Sequence, residues 1–335
     1  LARSADPAVR ERALAQLRSS ATIRARRSAA RAMPALLASA APTKQKHRLV
    51  YDAGITDELP GKLVRAEGKA KVKDIAVNEA YDGSGDTYDF YQQLFSRNSL
   101  DDDGMTLISS VHVADYDDEG NFVPMNNAYW DGEQMAYGDG DGLIFRRFTR
   151  SLDVIGHELT HGVQAHASNL EYAGQPGALN EHFSDVFGVL IRQWKNGETA
   201  EKASWLVGAE VLVPARTRRA IRDMENPGTA FVDDPYLETD PQPAHMKDIY
   251  KGVKDNGGVH LNSGIPNRAF VLAAKAIGGN AWEVPGAIWY AALLKLRPRS
   301  QFAACAKATI EAAGGHGAAA KKAVSAAWKT VGVTV

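Results

Sequence analysis

At 335 residues the chain has room for two domains, and 44% hydrophobic with 24% charged residues is the balance of a folded protein rather than a disordered one. No apolar run approaches the ~20 residues of a membrane-spanning helix, and the single cysteine, Cys305, excludes an internal disulfide and leaves any metal site to histidine and carboxylate. The net charge of −1 is unevenly spread: residues 1–48 hold eleven Lys or Arg against Asp6 and Glu11, a net of +9, and the remainder is −10.

A basic arm of this kind suits nucleic acid, but it has no aromatic residue to stack on bases, so it reads better as a segment docked on an acidic partner within the same chain. Asp6 followed by Pro7 has the form of a helix cap, with Val9, Ala13 and Leu17 then recurring on one face. A second Ala/Arg-rich helix is expected over 21–32. Pro34 and Pro42 bracket PALLASAAP, an exposed linker of the sort proteases cut. The opening LARSADPAVRERALAQ has neither an initiating Met nor the apolar core of a secretory signal. Either a leader has been removed or the chain travels without one, which leaves the compartment open between secreted and cytoplasmic.

From Arg48 the texture changes. RLVYDAG and GKLVRAEG predict a hairpin, and a further strand is expected over Thr106 to Val113. Between them DTYDFYQQLFS has helical spacing of Tyr88, Tyr91 and Phe95, and DYDDEGNFVP and YGDGDG read as turn-rich loops. After Ile144 helices are expected around 150–167, 178–195, 262–278, 285–296, 301–313 and 317–330. Strands followed by helices make an α+β protein whose two parts meet near residue 160.

That meeting point carries SLDVIGHELTHGVQAH. On a helix, His157 and His161 lie one above the other and can aim at a single point, while Glu158, rotated by ~100°, stands beside it, as suits a base acting on metal-activated water. An HExxH also arises by chance, and two ligands do not make a site. A third is offered by GALNEHFSDVFG, where Glu181 occupies a second helix and Asp185 follows at i+4, placed to accept the other ring N–H of a ligating histidine. Read more plainly, the same stretch is an amphipathic helix on Leu179, Phe183, Val186 and Leu190, and both descriptions can hold together.

HELTH, GALNEHFSD and DNGGVHLNSGIPN, preceded by NNAYWDG and YGDGDG, closely resemble the thermolysin family of zinc metallopeptidases, in the same order from about Arg48 to the C-terminus. The basic arm resembles the short propeptide of the family's protealysin-like branch. Rival zinc peptidases fail on spacing. A metzincin needs glycine and histidine where Gln164 and Ala167 stand, and the related aminopeptidases put the third ligand at the position of Asn180. The resemblance implies a two-domain zincin, with a propeptide over 1–43, a strand-rich part over 44–170 and a helical part over 171–335. It implies one catalytic zinc on His157, His161 and Glu181, with Asp185 and Asn180 supporting the ligands, and Glu158 as the general base. His260 and Tyr172 would stabilise the oxyanion, with Asp255 orienting His260. Asn127, Ala128 and Trp130 of NNAYW would hold substrate backbone together with Arg222, aligned through Met224 and Pro227, although Arg218 and Arg219 are neighbours in the same run. Phe145, Phe148, Val154, Val207 and Ile221 would line a pocket for a bulky apolar residue after the scissile bond, or else are plain core.

The function implied is a neutral endopeptidase made as a precursor, self-cutting at Ala32-Met33 or Ala35-Leu36, secreted, monomeric, with peptide substrates and its own propeptide as partners and no nucleic acid or membrane. The family's double calcium site is not supported. Asp153 remains, but Arg192 stands where a bridging glutamate is expected, and Ser204, Leu206 and Ala209 replace other ligands of a cation that needs 6 to 8 oxygens. Arg192 is expected to pair with Asp153 instead. The acidic runs DDDG at 101–104 and DYDDEG at 115–120 read as solvated turns. An inactive metal-binding scaffold is the alternative from a different class, against which stand Glu158, Tyr172 and His260 together.

Overall fold

The computed structural model describes residues 45–117 and 119–335. The two expected N-terminal helices, the Pro-flanked linker and the candidate cut sites lie outside the described residues.

The chain enters through β1 (Arg48–Thr56) and β2 (Lys62–Ala66), paired antiparallel as the hairpin pattern predicts. β3 (Leu107–Tyr116) runs parallel to β1, and β4 (Phe122–Pro124) folds back on its far end. Two short strands, β5 (Ala128–Trp130) and β6 (Met135–Tyr137), complete the sheet in the order β2-β1-β3-β6-β5, which leaves β5 at an edge.

Packed on the sheet is α1 (Ile75–Phe95), capped by Asp74, whose carboxylate accepts the amides of Ala76 and Val77. It begins well before the aromatic spacing at 88–95. The segment DGSGD looks like a turn, but Gly83 and Gly85 are helical contact points where a Cβ would strike Ile155 and the Arg48 guanidinium. Close approach, not a bend, is why glycine stands there.

α2 (Leu152–Ala165) and α3 (Gly174–Asn196) form the central pair. At Gly188 of α3 a Cβ would lie 2.9 Å from the backbone nitrogen of His157, so glycine lets the two backbones close at the level of the histidine motif. Tyr91 fixes α1 against α2 through a buried hydrogen bond to Thr160, 2.8 Å. Beyond them lie α4 (Lys254–Asn262), α5 (Gly264–Ile277), α6 (Val284–Lys295), α7 (Phe302–Gly314) and α8 (Ala318–Thr330), close to the predicted spans apart from α4. Between α3 and α4 the chain is largely irregular, with a two-residue pairing of β7 (Leu206–Val207) and β8 (Arg222–Asp223). One core joins the parts: Phe90, Tyr91 and Phe187 pack between α1 and α3, and Phe270, Trp289 and Trp328 pack among the last helices. The α+β class is as expected.

Candidate active site

The helical spacing does what the motif requires. His157 and His161 sit one turn apart on α2, both buried, and α3 presents buried Glu181 to them. One ligand-type atom from each of the three lies within 4.8 Å of the others. His157 Nδ1 is 2.9 Å from Asp185 Oδ1, and His161 Nδ1 is 2.6 Å from Asn180 Oδ1. Carboxylate and amide oxygens only accept, so both rings donate from Nδ1 and, in the neutral form that binds a metal, leave a lone pair on Nε2. Those two Nε2 atoms face each other across 3.1 Å. Glu181 Oε2, buried without a hydrogen-bond partner, stands 3.3 Å from His157 Nε2. Two lone pairs and a carboxylate so placed repel one another unless a cation lies among them, and a two-imidazole, one-carboxylate donor set is that of a catalytic zinc.

The electrostatics agree. Burial works against charge on His157, yet Asp185 and Glu181 outweigh it and push its pKa up to about 10, so the pocket attracts positive charge. Burial likewise opposes ionisation of Asp185, but Arg222 and His157 hold its carboxyl below the usual range. Arg222 grips both oxygens, Nε to Oδ2 at 2.8 Å and Nη2 to Oδ1 at 2.5 Å. Its two neighbours in sequence are engaged elsewhere, Arg218 with Asp234 and Arg219 with Asp223, so Arg222 alone of the three meets this cluster.

Glu158 is turned from the ligand point as expected. Its Oε2 accepts the amide of Trp130 on edge strand β5 at 3.1 Å, and its Oε1 is 3.9 Å from His157 Nε2. β5 thus connects the carboxylate to Ala128 and Trp130, while the Asn127 carbonyl just before it accepts the Gly138 amide at 2.9 Å.

On the opposite side Tyr172 donates to Glu181 and lies 3.1 Å from His260 Nε2. Asp255 accepts both the His260 backbone amide, 2.8 Å, and ring Nδ1, 2.6 Å. This clasp needs the DNGG turn, where Asp255 and Asn256 take left-handed φ of 52° and 49° before two glycines, and Asn256 also donates to the Tyr172 carbonyl. Partial desolvation lowers the proton affinity of His260, the Glu181 and Asp255 carboxylates raise it, and the net is a rise. Phe145, Phe148, Val154 and Val207 are buried in one cluster with Ile221 packed against it, Phe145 and Phe148 with ring centroids 5.5 Å apart.

Two partners went unassigned in the sequence. Asn267 donates to Asp185 Oδ2 at 2.8 Å, and Ser184 lies 3.1 Å from His161 Nδ1. Asn267 falls within the SGIPN run of the last motif, which marked the region without marking the residue. At the far end of the α2–α3 pair, Arg192 pairs with Asp153 as expected and donates to the carbonyls of Leu206, 2.8 Å, and Ser204, 2.7 Å. A guanidinium fills the space between the carboxylate and the loop.

Residues 41–165 match the thermolysin metallopeptidase catalytic domain and residues 168–333 its alpha-helical domain. An extracellular metalloprotease of Pectobacterium carotovorum subsp. carotovorum is 49% identical over 298 residues, covering 88% of this chain and 83% of that protein. Protease PrtS of a Photorhabdus strain is 48% identical, covering 86% and 77%. The solved precursor of protealysin, a metalloproteinase from Serratia proteamaculans, superposes with a TM-score of 0.83 at 48% identity, covering 89% of this chain and 91% of that one. Fold and cluster together define a metallopeptidase. The chain belongs to the thermolysin family. It is a zinc-dependent neutral endopeptidase with a propeptide, and the His157, His161 and Glu181 cluster fits the zinc.

Proposed function

We propose that this endopeptidase works through the residues gathered around His157, His161 and Glu181, the convergence of those three beside Glu158 being the observation that carries the reading. A zinc ion held by His157, His161 and Glu181 would supply Lewis acidity, making a water more acidic, toward a pKa of ~7, and a carbonyl more electrophilic. Glu158, held by the Trp130 amide, takes a proton from the attacking water and returns it to the leaving amine. His260 and Tyr172 donate hydrogen bonds to the oxyanion of the tetrahedral intermediate, each worth ~3 kcal/mol, and Asp255 orients His260. Asp185 and Asn180 fix the ring protons of the two ligating histidines.

Substrate lies alongside edge strand β5, with Asn127, Ala128 and Trp130 on its path and Arg222 at the floor. Phe145, Phe148, Val154, Val207 and Ile221 form the wall of an apolar pocket, and cleavage before Leu, Phe or Ile follows. Residues 1–43 act as the propeptide and cover the cleft, with 44–170 and 171–335 as the two catalytic domains. The enzyme is a secreted monomer, in keeping with relatives described as extracellular, and acts without nucleic acid or membrane partners. No helix among the described residues is long and apolar enough to cross a membrane. The Arg192–Asp153 pair stands in for calcium at the far end of the helix pair.

Casein digestion with and without a zinc chelator tests the activity, and cleavage mapping on a peptide library tests the pocket: cuts scattered without regard to the following residue would overturn the specificity. N-terminal sequencing of wild type and Glu158→Ala tests self-processing, since identical trimming in both would assign the cut to another protease.

A further inference from the structure

Beyond Asp185 the polar side chains continue into the apolar core. His182 follows Glu181 on α3 but turns away from the cleft, and with Asn267 of α5 and Trp289 of α6 it has no solvent exposure. Trp289 Nε1 is 2.8 Å from His182 Nε2, His182 Nδ1 is 2.8 Å from Asn267 Oδ1, and Asn267 Nδ2 is 2.8 Å from Asp185 Oδ2. The partners in each of these hydrogen bonds are 82 to 107 positions apart in the chain, so the line is made by tertiary packing, not by local turns.

The direction of every hydrogen bond in this line is forced. An indole N–H only donates, so His182 Nε2 must accept and its one ring proton sits on Nδ1. That proton goes to the Asn267 oxygen, which fixes the amide with its NH2 toward Asp185. Asp185 in turn accepts from His157 Nδ1. Buried polar groups are costly unless fully satisfied, and three apolar side chains would fill the same space without that risk. Arg222 reaches Asp185 from the cleft side; Asn267 holds it from the buried side.

We propose that Trp289, His182 and Asn267 form a positioning relay that fixes the Asp185 carboxylate, and through it the tautomer and direction of the His157 ring, so that the last helices help to set how tightly the site holds its divalent cation. The relay rests on the reading of His157, His161 and Glu181 as the metal site. None of its three members touches substrate or the ligand point; each acts through Asp185.

The test is zinc release from the purified, zinc-loaded protein to a chromogenic chelator, with thermal unfolding of the loaded and zinc-free forms. His182→Leu is expected to release zinc about tenfold faster, in line with other outer partners of metal ligands, and to lose part of the Tm gain that zinc confers. His182→Gln is expected to recover most of both, because its amide oxygen can accept from Trp289 while its NH2 donates to Asn267. Trp289→Phe keeps an aromatic ring, removes the donor, and provides a second variant should His182→Leu fail to fold; it too is expected to speed release. A merely structural role predicts that loaded and zinc-free Tm fall together with release unchanged, and that result overturns the relay. Equal loss in His182→Leu and His182→Gln overturns it as well. Folded wild type that binds no zinc would instead overturn the metal-site assignment, and the relay with it.

Discussion

The α2–α3 helix pair buries carboxylates at two levels and satisfies them in different ways. Near one end Asp153 takes the guanidinium of Arg192, which also donates to the carbonyls of Leu206 and Ser204. At the other, Glu181 meets two imidazoles whose lone pairs face each other across 3.1 Å, an arrangement that calls for a cation from outside the chain. A joint that only fastens helix to loop can be closed by a tethered side chain. A centre that has to admit substrate needs a charge with a vacant coordination position, which a guanidinium does not have. The same pair of helices therefore ends in a sealed ion pair at one level and an open metal cluster at the other.

The comparison can be broken in several places. The largest effect is expected for Glu158→Gln, which removes the general base and leaves the ligands in place: kcat/KM should fall by about 10³-fold or more with zinc content unchanged, measured by peptide hydrolysis and metal analysis. If zinc were lost in parallel, Glu158 would belong to the ligand set. At the sealed end, Arg192→Leu leaves Asp153 buried and unpaired and should cost about 3 kcal/mol in denaturant unfolding, with Asp153→Asn in the same chain restoring part of it. A chelator should not alter that loss; if it does, a metal shares the Asp153 site. Arg192→Glu, which reverses the charge, should destabilise in free and chelated buffer alike.

His260→Gln removes one oxyanion donor that is not itself a metal ligand and should lower kcat by about 10²-fold while KM and stability stay near wild type. The smallest effect comes from a third arrangement, in which the chain's own cation titrates. His112 lies between Asp139, 2.7 Å, and Asp74, 2.8 Å. The Asp139 hydrogen bond raises its pKa, burial lowers it, and Asp74 raises it further, to about 9. A folded-state pKa above the ordinary ~6.5 gives stability that is complete below that value and lost as pH rises through about 9. Allowing for solvent screening of the partly exposed carboxylates, urea unfolding of wild type and His112→Gln should differ by about 1 kcal/mol near pH 6 and converge at high pH. A constant gap across that range would show that His112 acts by packing alone.

What could be read from the sequence was what local spacing encodes. His157 and His161 are four apart and Glu181 and Asp185 four apart, so one helical period places each pair on its face. Arg222 was separable from Arg218 and Arg219 only through the Met and Pro that follow it, and of the three it is Arg222 that pairs with Asp185. The early turns of α1 were hidden by DGSGD, because glycine at a close helix contact looks the same in sequence as glycine in a turn. β5 and β6, three residues each, are too short to show a period of two. Asn267, His182 and Trp289 were illegible for a different reason: hydrogen bonds between residues this far apart leave no periodic trace, and an isolated polar residue in an apolar helix declares no partner.

The most direct measurement is an anomalous-scattering map collected at the zinc edge from crystals of the purified protein. One peak within bonding distance of His157 Nε2, His161 Nε2 and a Glu181 oxygen is the expected result. A map with no peak there, or with Glu181 rotated away from the two rings, would contradict it.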